Sequence, residues 1–337
     1  MLPDSRAERN LRLYRGVLMM TKRLLFLLML FLAMTACLVS ASADVEFGGA
    51  SYPDDAEYID LGTTIVRDYD AFAAFLQQLP ALKQVDMFAT EISSADCDRL
   101  AERFPGMKWG WTMVLQGKGH RHLIRTDYTS WSTLHNNKSS LHTSEDFHIL
   151  KYCWNLLALD IGHNNVTDLS FLYDLPNLRV LILAANRVED LTPIASLKNL
   201  EYLEMFKNRV TDLTPLTGLT HLMDLNLCNN RIKDLSPLEQ MTWLKRVWIY
   251  RAGGKDIPKA QARALQALLP DTQLDYTHSG TNGTWRNLTA KKLHPHYQAI
   301  IAMFGENHLK PKYEYVPFED SYPEEEADEM PVLQADP

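Results

Sequence analysis

Two histidine pairs, His120 and His122 in "HRH" and His294 and His296 in "HPH", are the residues of this chain best suited to metal or acid–base chemistry. A zinc site needs further ligands, and a catalytic His needs an orienting carboxylate; neither pair has a Cys or carboxylate nearby at a recognised spacing. Four aspartates, Asp168, Asp190, Asp212 and Asp234, recur at one spacing and could offer oxygens to calcium. Each adjoins a turn whose free N–H groups a carboxylate accepts locally, so turn capping is the expected role. Ser, His and Asp occur without any G-x-S-x-G, H-E-x-x-H, P-loop or G-x-G-x-x-G signature. The expectation is no catalytic residue, no metal and no cofactor.

The periodic aspartates belong to a longer pattern. Asn164, Asn186, Asn208 and Asn230 follow one another at intervals of 22, and their flanks keep step. Leu159, Leu181, Leu203, Leu225 and Val247 form one apolar column; Ile161, Leu183, Met205, Leu227 and Ile249 form a second, two residues later. That alternation predicts a short strand with one apolar side. Thr192-Pro193, Thr214-Pro215 and Ser236-Pro237 then read as starts of short helical or 3₁₀ turns, the hydroxyl accepting from a free N–H and Pro giving up a donor that had no partner.

The pattern "LxxLxLxxNxVxDLxPLxxLxx" resembles the leucine-rich repeat in the 22-residue form of exported, internalin-like bacterial proteins. The resemblance implies an α/β solenoid, with a curved parallel sheet on its concave side, short turns on its convex side and irregular flanking caps. It also implies that Asn164, Asn186, Asn208 and Asn230 form a buried ladder serving backbone groups of the adjoining loops. One repeat cannot bury its own apolar face, so the core positions must stay in register while the positions between them are free to vary.

The flanks divide the rest. Residues 1–43 read as a signal peptide: Lys22 and Arg23 precede "LLFLLMLFLAM", and "ASA" ends at Ala43. The apolar run is short for a membrane span. Alternatively "MTAC" places Cys37 for lipidation, which would anchor the mature chain. Residues 44–114 read as degenerate repeats with real helices, 115–146 as an irregular insertion, 147–276 as the repeat domain, 277–313 as a C-terminal flank and cap, and 314–337 as a disordered acidic tail.

Composition sets limits on partners. Residues 1–43 hold six Lys/Arg and two Asp/Glu, so 28 basic and 40 acidic residues remain, a net of −12. No basic face is clustered enough to neutralise phosphates, which argues against nucleic acid. Cys97, Cys153 and Cys228 are odd in number and lack C-x-x-C spacing, so no disulfide framework is expected, and Cys153 reads as a small buried residue.

The strand positions between the core columns point out of the concave sheet. Tyr202, Glu204, Phe206, Asp224, Asn226, Arg246, Trp248 and Tyr250 place aromatics beside charges, the usual composition of an interface anchor. The expected function is a non-catalytic, secreted or cell-surface module that binds a protein or peptide ligand on this face. An exported enzyme with its active site in the non-repeat segments and a structural envelope protein are the alternatives.

Overall fold

A computed structural model describes residues 44–117, 120–133, 142–277, 287–289 and 292–304. Residues 1–43, read above as a signal peptide, with Cys37 among them, and residues 314–337 lie outside these residues.

The chain divides into two compact units, one running to Ile59 and resuming over Asp70–Leu82, the other holding Asp60–Tyr69 and everything from Lys83. In the first, β1 (Val45–Phe47) and β2 (Ala50–Tyr52) form an antiparallel hairpin. Helix α1 (Tyr69–Leu76) contributes Phe72 and Phe75 to an aromatic cluster with Phe47 and Tyr52; the Phe47 and Phe75 rings stack at 4.7 Å. Strand β3 (Tyr58–Asp60) falls at the division.

The second unit begins with β4 (Gln84–Ile92), α2 (Ser94–Arg103), β5 (Lys108–Gly117) and β6 (His120–Arg125). β5 runs parallel to β4, and β6 returns antiparallel to β5. Ser93 caps α2 by accepting from the Asp96 N–H, which satisfies a donor the first helical turn leaves open. At Gly110 a Cβ would lie 2.3 Å from Asp86 Oδ1 and 2.8 Å from Phe88 Cζ, so only glycine lets β5 approach β4 there.

Seven strands form the main sheet, in the spatial order β13-β12-β11-β10-β9-β8-β7. They are β7 (Ser130–Ser132), β8 (Ala158–Asp160), β9 (Val180–Ile182), β10 (Tyr202–Glu204), β11 (Asp224–Asn226), β12 (Arg246–Trp248) and β13 (Gln273–Asp275). All neighbours are parallel, and Ala158, Val180, Tyr202, Asp224 and Arg246 stand in one register row. Both apolar columns read from the sequence are fully buried. The sheet is thus a stack of repeats, each covering the apolar face its neighbour cannot cover alone.

Residues 115–146 need correction as an irregular insertion. Their described part completes β5 and supplies β6 and β7, the latter being the edge strand of the main sheet. Trp131 of β7 pairs with Leu159 of the first apolar column; a tryptophan flanked by serines hides the pattern that Leu makes visible elsewhere. At the other end, Leu274 pairs with Val247, 27 residues earlier in the chain. Helix α3 (Lys259–Leu268) occupies that longer connection and buries Ala262 and Leu265.

The turns are short 3₁₀ segments, Thr192–Ser196, Thr214–Leu216 and Ser236–Gln240, with Pro in their first positions. Their hydroxyls act opposite to expectation. Thr192 Oγ1 donates to Asp190 Oδ1 at 2.6 Å and Thr214 Oγ1 to Asp212 Oδ1 at 2.7 Å, while the same carboxylates accept the Thr192 and Thr214 N–H groups. A carboxylate two residues upstream is the stronger acceptor, so it takes the capping role. These hydrogen bonds hold Asp190 and Asp212 below the ordinary carboxylate range.

The sequence pattern carried no hint of a second column, in which His163, Ala185, Lys207, Asn229 and Arg251 all take positive φ of 49–58°. This left-handed residue turns the chain off the strand just before each ladder Asn and is repeated because the bend is repeated. After β13 come β14 (Asn287–Thr289), β15 (Lys292–Leu293) and helix α4 (Pro295–Phe304).

Candidate ligand-binding face

The ladder and the concave face are built by the same strands. On the inner side, Asn208 Nδ2 donates to Leu183 O at 2.9 Å and Met205 O at 3.2 Å, while its Oδ1 accepts from Val188 N at 3.0 Å. Asn186 and Asn230 repeat the arrangement, with Oδ1 accepting from Val166 N and Val210 N. Asn164, the first rung, accepts from His142 N and donates to Thr133 Oγ1. Each side chain therefore joins its own turn to the neighbouring ones.

On the concave side, the candidate residues lie beneath cover rather than open to solvent. Tyr202, Glu204, Phe206, Asp224, Asn226, Arg246 and Trp248 are all at most 9% exposed, and Tyr250 is half-buried. Helix α4 lies over them. Its Tyr297, Ile300, Met303 and Phe304 join Tyr202, Phe206, Trp248, Val180 and Ile182 in one apolar cluster, and Ile301 faces solvent. The helix reads from sequence as an end cap because its apolar spacing is plain; where it docks depends on the shape it meets. The described C-terminal end of the sheet carries α3 and β13 instead.

Charge organises the contact. Arg246 Nε donates to Asp224 Oδ1 at 3.1 Å and its Nη2 donates to Asp224 Oδ2. His296 Nδ1 lies 2.7 Å from that same Oδ2, and the His296 ring meets Tyr202 edge-on with centroids 6.0 Å apart. Burial pushes the Asp224 carboxyl up, but the charges of Arg246 and His296 and their hydrogen bonds outweigh it and hold the group well below the usual carboxylate range. The Arg246 guanidinium also sits 5.0 Å from the Trp248 ring centroid. At the far end of α4, Ser130 Oγ donates to Met303 O at 2.5 Å, so the helix crosses the sheet from β11 to β7.

One polar atom stands out on the covered face. Asn226 Oδ1 accepts from Cys228 N at 3.0 Å, but Asn226 Nδ2 is buried with no hydrogen-bond partner among the described residues.

The other histidine candidates separate. His122 Nδ1 lies 2.9 Å from His142 Nε2, whereas His296, on α4, reaches Asp224 on the concave face and His294 stands just before that helix. Among the described residues no group of three or more His, Cys, Asp or Glu could hold a metal ion. Cys97, Cys153 and Cys228 are buried and form no disulfide among the described residues, and burial pushes the Cys97 and Cys153 thiols up. No described helix is long and apolar enough to cross a membrane. His296 is among the histidines the sequence singles out, but its pairing with Asp224, 72 residues away, is not legible there.

No curated protein matches the chain. Among solved structures, it is similar to an internalin of Listeria monocytogenes (16% identity, 63% of this chain and 67% of that one, TM-score 0.34). Internalin C2 of the same organism gives 20% identity over 66% of this chain and 80% of that one, TM-score 0.34. A leucine-rich-repeat protein of Leptospira interrogans gives 19% over 60% of this chain and 50% of that one, TM-score 0.34. The family of leucine-rich repeats (2 copies) matches at residues 154–196, 176–221 and 198–240. With its stacked parallel strands and 3₁₀ turns, the fold is a leucine-rich-repeat solenoid.

Proposed function

We propose that the protein is a non-catalytic, extracytoplasmic recognition module that binds a protein or peptide ligand on its concave sheet. Tyr202, Phe206, Trp248 and Tyr250 supply apolar contacts, and Glu204, Asp224, Asn226 and Arg246 set orientation. The observation that carries this reading is that the face already holds an amphipathic helix, through an apolar cluster and a buried Asp224–Arg246–His296 triad. Aromatics flanked by a desolvated charge pair are the composition expected of an interface centre.

Capture from envelope and host extracts on immobilised full chain tests it, with Trp248→Ala as the comparison. A protein retained by the wild type and lost from a folded variant supports the reading; retention indifferent to the variant overturns it. Turnover of peptidase, glycosidase or esterase substrates would favour the enzyme alternative. Export is tested by mass spectrometry of the mature N-terminus. A start at Asp44 supports secretion and a lipid-modified Cys37 supports anchoring, whereas an intact N-terminus in a cytoplasmic fraction overturns both.

A further inference from the structure

Helix α4 covers a face that is not composed like a permanent core. Asp160, Glu204, Asp224, Asn226 and Arg246 all lie on the concave strands and are at most 7% exposed. Such positions cost little when wet and a good deal when dry, unless each group finds a partner. Asp224 does, through Arg246 and His296. Asn226 does not: among the described residues nothing accepts from its Nδ2, and Gln298, the one side-chain amide of α4, is exposed rather than buried against it. The apolar columns on the other side of the same strands show what a permanent contact looks like here, being aliphatic throughout and fully buried.

Resting on the recognition reading above, we propose that α4 is a displaceable, intramolecular occupant of the ligand face, and that the ligand is itself an amphipathic helix. The partner has an apolar face matching Tyr202, Phe206 and Trp248, a hydrogen-bond donor near its N-terminus to take the place of His296 against Asp224, and a hydrogen-bond acceptor that reaches Asn226 Nδ2. The donor follows from Asp224 presenting its Oδ2 to the second residue of α4. The acceptor follows from the amide that α4 leaves open. A ligand that satisfies both groups outcompetes a tethered helix that satisfies one, despite the tether's high effective concentration.

The test uses the full chain and, as probe, a fluorescent synthetic peptide of residues 292–304. Ile300→Asp/Met303→Asp frees α4 from the face without touching the repeats. The freed variant is expected to bind the probe at least tenfold tighter than wild type. Asp224→Asn in that background is expected to weaken the probe at least tenfold, and His296→Ala in the probe to do the same. In wild type, excess unlabelled probe is expected to speed amide exchange of the resident α4 and not of β8 to β12. A freed variant whose repeats no longer melt cooperatively makes α4 permanent core and overturns the proposal. So does a folded freed variant that binds no probe. Tight probe binding with no protein captured from extracts leaves the displaceable helix standing and removes the recognition reading instead.

Discussion

Asn208 and Asn226 are both buried, one on each side of the same sheet, yet their amides fare differently. Asn208 spends its donor and acceptor on Leu183 O, Met205 O and Val188 N, all within adjoining repeats. Asn226 has one local bond, to Cys228 N, and an Nδ2 that nothing completes among the described residues. The difference teaches that a side chain serving the repeat is satisfied by the repeat, whereas one on the concave face waits on whatever covers it.

The largest way to sharpen this contrast is Asn208→Ala, which strands one N–H and two carbonyls inside the solenoid. At about 1–3 kcal/mol per unsatisfied group, the loss is expected to reach about 4 kcal/mol, read as a fall in the denaturant midpoint. A loss below about 1 kcal/mol would break the comparison. Trp248→Ala should follow at about 3 kcal/mol, since the ring is buried between the sheet and α4 rather than presented to solvent. A melting curve unchanged by it would mean that α4 is off the face in solution.

Asp224 makes a pH prediction. Its native pKa is depressed, so the triad's contribution is complete above the unfolded value of about 4 and is lost as pH falls toward the lower native value. The probe affinity of the freed variant should therefore drop as pH falls below about 4, where Asp224 begins to take up a proton, and Asp224→Asn should abolish that drop. A smaller effect of opposite sign is expected of Asn226→Leu, which removes the unmatched donor and should stabilise the α4-covered state by about 1 kcal/mol. Smallest is Ala185→Gly at a φ of 55°, where a Cβ is strained; a gain of about 0.5 kcal/mol in thermal unfolding is expected. The same change at Ala184, which lies outside the positive-φ column, should lose stability instead.

Particular residues show how far the sequence reads. Leu181 and Leu183 announce the strand because alternation is local, and Asn186 announces the bend because each bend repeats the same unmet backbone groups. Trp131 does not announce β7, since a single large ring in place of Leu leaves no period to detect. The Thr192 hydroxyl was assigned the wrong partner because Asp190, two residues upstream, competes for the same N–H, and the winner is decided by charge and geometry together. Tyr202, Asp224 and Trp248 were placed on the concave side by alternation alone, and that side is where they lie; their burial depends on a helix 47 to 102 residues further along the chain.

The amino-acid sequence by itself determined the solenoid, its register from Leu159 to Ile249, and which side chains face the concave surface, because those follow from contacts between residues one repeat apart. Only the tertiary structure decided that α4 lies across that surface, that His296 joins Asp224 and Arg246, and that Asn226 Nδ2 is left open. A helix of ten residues carries its apolar spacing wherever it goes, and nothing in that spacing names the surface it will meet. The choice is made by shape and charge across the folded sheet, over a sequence separation that no local pattern spans.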